Sequence, residues 1–286
     1  MPTAPASNEV LTAALLVVGG KILSGRTKDQ NIGYIAEYLT ALGIDLKEVR
    51  VVSDEEKAIV DALTALRHRY SYVFTTGGIG PTHSDITAAC VAKAFGVPID
   101  TDPRALAILY EWVKTTGAEM NEARLRMTRI PKGADLILNK VSGAPGFWID
   151  NVIVMAGVPS IMQAMLDEVA PKLNIGVRML SETVRADARE GDIGMQLGEI
   201  AKANPEVGIG SYPFFDPQHG PNTNVVLRAA MHRSSRGPNV RSRRCWSGPE
   251  STDNMNTKQW PSIVRRLGWS YRRCWGYLHP GPGARC

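Results

Sequence analysis

The chain has 286 residues, 44% of them hydrophobic, which is enough to bury one large or two modest cores. No run approaches the apolar length needed to span a bilayer, and MPTAPASNEV has neither the basic start nor the apolar centre of a secretory signal, so a cytoplasmic location without membrane association is expected. Four cysteines without metal-ligand spacing argue against a zinc site, and that compartment argues against structural disulfides. The net charge of +5 is unevenly placed: residues 229–286 carry 11 basic and two acidic side chains, a local +9, which leaves the rest at −4. Nucleic acid is therefore not an expected partner of the body of the chain.

In chain order, Leu15–Val18 reads as a short buried strand running into Gly19 and Gly20. From Asn31 to Leu42, the residues Ile32, Ile35, Ala36, Leu39 and Leu42 share one helical face, and Gly43 closes the helix. Val49–Val52 is a second strand, and Asp54 opens a helix with Ile59, Val60, Leu63 and Leu66 turned inward. Tyr70–Phe74 is a third strand, followed by TTGGIGPTHSDIT over Thr75–Thr87 and a helical stretch over Ala88–Phe95. This β-α-β-α-β-α alternation predicts a mostly parallel sheet covered by helices on both faces, with ligands at the carboxyl ends of its strands.

The glycine-rich turn is the centre of the reading. Gly77, Gly78 and Gly80 let an anion approach the main chain, Thr82 or Ser84 is expected to cap the following helix, and Pro81 stiffens its approach. Asp85 has no packing purpose beside an anion site unless a metal or a proton is handled there. Several other residues carry two readings. Asp54 is a functional carboxylate or the cap of its helix. His83 is a phosphate donor or a solvent-facing loop residue, and Lys21 is a phosphate partner or a surface lysine. Arg124, Arg126 and Arg129 are a phosphate clamp or a solvated helix face. Cys90 is most simply a small core residue.

Further on, Asp102-Pro103 opens a helix that is interrupted near Gly117, and Asn121–Met127 is a polar helical stretch. Leu136–Leu138 and Val152–Met155 are strands, Gly143–Phe147 is a turn, and Ser160–Val169 is a helix after Gly157-Val158-Pro159. Pro171–Gly176 is a linker. After it the pattern changes to a small α+β unit over 177–228, with strands at Thr183–Ala186, Val207–Tyr212 and Asn224–Arg228 and a helix from Gly191 to Ala201. The expected organisation is an N-terminal segment (1–12), an α/β domain (13–172), the small domain (177–228) and an irregular basic tail (229–286). The tail holds three of the four cysteines and four of the six tryptophans. A basic, aromatic nucleic-acid segment and a disordered extension are two readings of it. The abrupt change in composition favours a third, a translated shifted reading frame.

The loop TTGGIGPTHSDIT, together with Ile22–Arg26, Asn31, Val51–Asp54, Arg129–Pro131, Ala144–Phe147 and Gly157–Pro159, resembles the molybdopterin-binding (MoCF biosynthesis) domain family and, within it, the CinA-like branch. The resemblance implies a three-layer α/β/α sandwich, a small KH-like domain after Val177, and self-association as dimers or trimers. The deamidase domain that many CinA proteins carry has no counterpart in these residues, so nicotinamide mononucleotide deamidation is not expected. The activity implied is metal-dependent hydrolysis of a nucleotide pyrophosphate such as ADP-ribose. The alternatives are a molybdopterin adenylyltransferase and a noncatalytic pterin or nucleotide binder.

The resemblance places Asp85 and Asp54 at catalytic and metal positions for magnesium or a similar divalent ion. It places Thr76, Gly77, Gly78, Gly80, Pro81, Thr82, Thr87, Ser24, Asn31, Gly157 and Pro159 around the nucleotide or pterin phosphate. The pattern departs from the family at Gly20 and Lys21, where an acidic pair is usual, at Ser84 in place of an aspartate, and at Ile161 in place of a carboxylate. Fewer acids weaken the hold on a hard cation.

Overall fold

The computed structural model describes residues 10–174, 179–205 and 207–230. The chain divides into two units, residues 1–176 and 177–286.

In the first unit, β1 (Thr12–Val18) is buried on both faces, as a continuous apolar run in a covered parallel sheet should be. It leads through Gly19 into a one-turn helix, α1 (Gly20–Leu23), and then α2 (Asn31–Ala41). Then come β2 (Asp45–Val52), α3 (Glu56–Arg67), β3 (Tyr72–Thr76) and α4 (Thr87–Phe95). The short β4 (Ile99–Thr101) precedes α5 (Pro103–Thr116). That helix starts where it was expected to: the Asp102 carboxylate accepts from the amides of Arg104 and Ala105, and Pro103 sits in the first turn. Its end is the left-handed Gly117. Asn121 caps α6 (Glu122–Arg126) by accepting from the Arg124 amide. The unit closes with β5 (Arg129–Pro131), β6 (Asp135–Ile137), β7 (Gly146–Ile149), β8 (Val152–Met155) and α7 (Pro159–Val169).

Six strands form one sheet in the order β2-β1-β3-β8-β7-β6, and β4 pairs separately with β5. Strands β2, β1, β3 and β8 are parallel; β7 runs against both β8 and β6 and is the single reversed strand of this sheet. One face packs Leu15, Val17, Phe74, Ile153 and Met155 against α2 and α7. The other packs Leu16, Val18, Val73, Val152 and Val154 against α3, α4 and Ala105 of α5. This is the expected three-layer α/β/α arrangement. Fully buried side chains such as Leu15, Leu39, Leu63 and Phe74 each contribute about 1.5–3 kcal/mol of burial energy. Cys90 lies in the second core cluster, as expected, and burial pushes its thiol up to about 11.

The chain leaves β1 for β2 on one side and later returns to place β3 on the other. The carboxyl ends of β1 and β3 therefore flank a topological switch point, where open α/β sheets place their ligands.

In the second unit, β9 (Met179–Arg185), α8 (Glu190–Ala203), β10 (Val207–Asp216) and β11 (Gly220–Ala230) form a βαββ unit with antiparallel sheet order β10-β11-β9. Its core is built from Ala186, Ile193, Leu197, Val207, Val225 and Leu227. Strand β11 runs two residues into the stretch expected to be irregular. The remainder of that tail, with its three candidate readings, lies outside the described residues. No helix among the described residues is long and apolar enough to cross a membrane.

Candidate functional site: a glycine loop at the switch point

The TTGGIGPTHSDIT loop leaves β3 at the switch point and is clamped there by its own backbone. The Gly77 amide donates to the Met155 carbonyl at the end of β8, and the Gly19 amide to the Val52 carbonyl at the end of β2. Gly77 has φ +96°, and a Cβ on it would lie 2.2 Å from the Val18 carbonyl oxygen; on Gly78, at φ +68°, it would lie 2.1 Å from Thr87 Oγ1. Both positions therefore demand glycine on backbone angle and on space. Gly157 closes the arrangement from β8, with its hypothetical Cβ 3.1 Å from Gly77 Cα.

Thr87, fully buried, begins α4 and ties it to the loop: its amide donates to the Gly78 carbonyl (2.9 Å) and its hydroxyl to the Gly77 carbonyl (3.0 Å). The next amide with a helical acceptor is that of Cys90, which donates to the Ile86 carbonyl, so the amides of Ala88 and Ala89 form the first turn between them. The expected cap by Thr82 or Ser84 is not what forms. The helix starts after Ile86 without a side-chain cap. Thr82 Oγ1 instead donates to Asp85 Oδ2 (2.5 Å) and lies 3.0 Å from Ser84 Oγ, and the Thr82 amide also donates to Asp85 Oδ2 (2.8 Å). The hydroxyls organise the loop around Asp85 rather than closing the helix end.

Asp54 bonds to the main chain at the start of α1. It does not cap α3, whose preceding residue Glu55 makes no side-chain cap; its Oδ2 accepts from the Gly20 amide at 2.7 Å, across 34 residues. It thus holds the first turn of α1 against the end of β2. Ser24 is exposed at the end of α1 and donates to the Lys21 carbonyl. Asn31 is buried; its Nδ2 donates to the Gly157 carbonyl (2.9 Å), and its Oδ1 has no partner among the described residues. The hydroxyl of Thr76, at the end of β3, is also buried without a partner. Pro159 occupies the first turn of α7, whereas Pro81, Thr82 and His83 are exposed at the loop tip.

A shallow cleft, open to solvent, lies beside the loop. Its lining brings together Gly78, Ile79, Gly80 and Asp85 of the loop and Arg126, Arg129, Pro145 and Phe147. Gly80 is pressed against the acid, since a Cβ there would sit 2.8 Å from Asp85 Oδ2. Asp54, Ser24, Asn31, Gly157 and Pro159 do not line this cleft. Of the three arginines, Arg124 is committed to the Glu119 carbonyl, while Arg126 and Arg129 come from different elements to the same opening. Sequence spacing could not separate these cases, because α6 ends at Arg126 and Arg129 already belongs to β5.

No group of three or more His, Cys, Asp and Glu side chains among the described residues could hold a metal ion. Asp85 is the one carboxylate lining the cleft, so a magnesium-type ion there would take most of its shell from phosphate oxygens and water.

Geometry thus defines an α/β/α domain with a glycine-rich loop and a cleft at its switch point. Residues 14–174 match the model described as the probable molybdopterin binding domain (MoCF biosynthesis), and residues 178–235 match that of the FAD synthase middle domain. A protein from Archaeoglobus fulgidus is 32% identical over 202 residues, covering 70% of this chain and 84% of its own length. A competence-damage inducible protein from Desulforudis audaxviator is 31% identical over 216 residues, which span 71% of this chain and 52% of that longer protein. The crystal structure of CinA from Thermoplasma acidophilum superposes with a TM-score of 0.52 at 32% identity, covering 56% of this chain and 96% of that one. The chain belongs to the molybdopterin-binding (MoCF biosynthesis) domain family, in its CinA-like branch.

Proposed function

We propose that the chain binds a small molecule through its phosphate, either a nucleotide or a pterin phosphate such as molybdopterin, beside the glycine loop. The observation that carries this reading is the seating of Gly77–Gly80 at the switch point, with the first turn of α4 behind it and a cleft open in front. Backbone amides at a helix start favour an anion, and the tight glycine packing keeps side chains out of its way.

Asp85 favours a second step, hydrolysis of a nucleotide pyrophosphate of the ADP-ribose kind. Its carboxylate lines the cleft, and both hydrogen bonds it accepts go to Oδ2, so Oδ1 remains for a ligand or a water. Water would add to one phosphorus and the bridging P–O bond would break, giving two monophosphates, AMP and ribose 5-phosphate from ADP-ribose. Asp85 would orient that water and accept its proton. Where Oδ1 of Asp85 instead holds a divalent ion against the substrate phosphates, the ion would supply charge neutralisation.

Turnover of ADP-ribose by the full chain and by Asp85→Ala, with and without magnesium, tests the reading. Magnesium-dependent AMP release that the substitution lowers at least a hundredfold supports hydrolysis. Saturable binding without turnover under any metal leaves a binding protein. ATP consumption that requires a pterin would indicate adenylyl transfer instead. Failure to bind any nucleotide or pterin phosphate would overturn the proposal.

A further inference from the structure

We infer that Arg126 and Arg129 form a second anion subsite facing the glycine loop, which makes the cleft selective for ligands carrying two linked phosphates over those carrying one. This rests on the phosphate reading of the loop and deepens it.

Most arginines of the described residues are already occupied: Arg50 pairs with Glu48, Arg104 with Asp102, and Arg185 with Asp187 and Asp216. Arg67 lies over the Phe95 ring, and Arg124 donates to a carbonyl of its own loop. Arg126 and Arg129 are exposed and have neither a carboxylate nor a hydrogen-bond acceptor among the described residues, yet they line the same opening. Two unpaired guanidinium groups brought together repel each other, so an anion between them is stabilised by both.

The loop brings backbone amides and one carboxylate, Asp85, to the same cleft, and among the described residues Asp85 forms no ion pair with either arginine. The cleft is therefore lined by two guanidinium groups, a glycine loop suited to a phosphate and a single acid. A diphosphate carries one anionic group for the loop and a second for the arginines, whereas a single phosphate carries only one. Guanidinium donors match phosphate oxygens bidentately, and each charge-assisted contact contributes enough for roughly tenfold in affinity.

The test compares pyrophosphate with orthophosphate by calorimetric titration into the full chain, at matched ionic strength and without divalent metal. The native chain is expected to bind pyrophosphate at least tenfold more tightly. The double variant Arg126→Gln/Arg129→Gln should lose that preference while keeping its orthophosphate affinity within about twofold. Both side chains are exposed and unpaired, so the variant should retain the native melting temperature, and Arg124→Gln serves as a neighbouring control that leaves the ratio unchanged. An undiminished preference in the double variant, an equal loss for both anions, or no preference in the native chain would overturn the subsite and leave the loop reading standing. If neither anion binds the native chain, both fall.

Discussion

Replacing Gly77 by alanine should damage the protein far more than the size of a methyl group suggests. Two costs combine at this position. A backbone at φ +96° is one that L residues resist, which costs about 1–2 kcal/mol. The added Cβ would also meet the Val18 carbonyl oxygen at 2.2 Å. That oxygen ends β1, a strand paired on both sides by β2 and β3, so it cannot move aside without disturbing the sheet. Overpacking of this kind costs about 1–3 kcal/mol, for a total of about 2–5 kcal/mol. Gly96 separates the two costs: it has φ +65°, but nothing lies within 4 Å of its hypothetical Cβ, so Gly96→Ala should cost only about 1 kcal/mol. Native-state hydrogen exchange of the β1 and β3 amides in both variants reports on the first unit rather than on an average of two units. Equal destabilisation by the two substitutions would refute the claim that close packing against Val18 fixes the loop.

Two other expectations rest on single contacts. Asp54→Ala should lower stability by about 0.5–2 kcal/mol by freeing the Gly20 amide, with Asp54→Asn recovering much of it in a urea titration; an effect on stability no larger than zero would return Asp54 to a purely ligand-binding role. Tyr38 gives a pH signature. Burial and the hydrogen bond its hydroxyl donates to Asp167 push its pKa from 10.0 up to about 12. The folded chain therefore holds this proton more tightly than the unfolded one, so the stabilisation is complete below pH 10 and is lost as the pH rises through 12. Tyr38→Phe should flatten the fall in stability across that interval, and an unchanged slope would show that Tyr38 is not its source.

How much of this was legible in the sequence depended on the range of the interaction. The alternation of strands and helices, the Asp102-Pro103 start and Gly117 break of α5, and the polar helical stretch from Asn121 are local signals, and the structure follows them. Strands β4 and β5 have three residues each, too few to display a period, and β7 hides within Gly146-Phe147-Trp148 because the preceding glycine and proline read as a turn. The role of Asp54 depends on an amide 34 residues away and has no local trace. Thr82 and Ser84 have the chemistry of caps, but the loop turns them onto Asp85 instead. Side-chain spacing raised a clamp by Arg124, Arg126 and Arg129 without deciding which of them faces the loop, because that requires the break between α6 and β5.

The central claim is that the glycine loop at the switch point holds phosphate, and the most direct measurement is a titration of isotope-labelled full-length chain with pyrophosphate, followed by amide resonances. The account predicts saturable shifts centred on Gly78–Asp85 and the first turn of α4 at Thr87–Ala89, with only small changes on β9–β11. Saturable shifts confined to other surfaces, or no response of the loop at all, would contradict it.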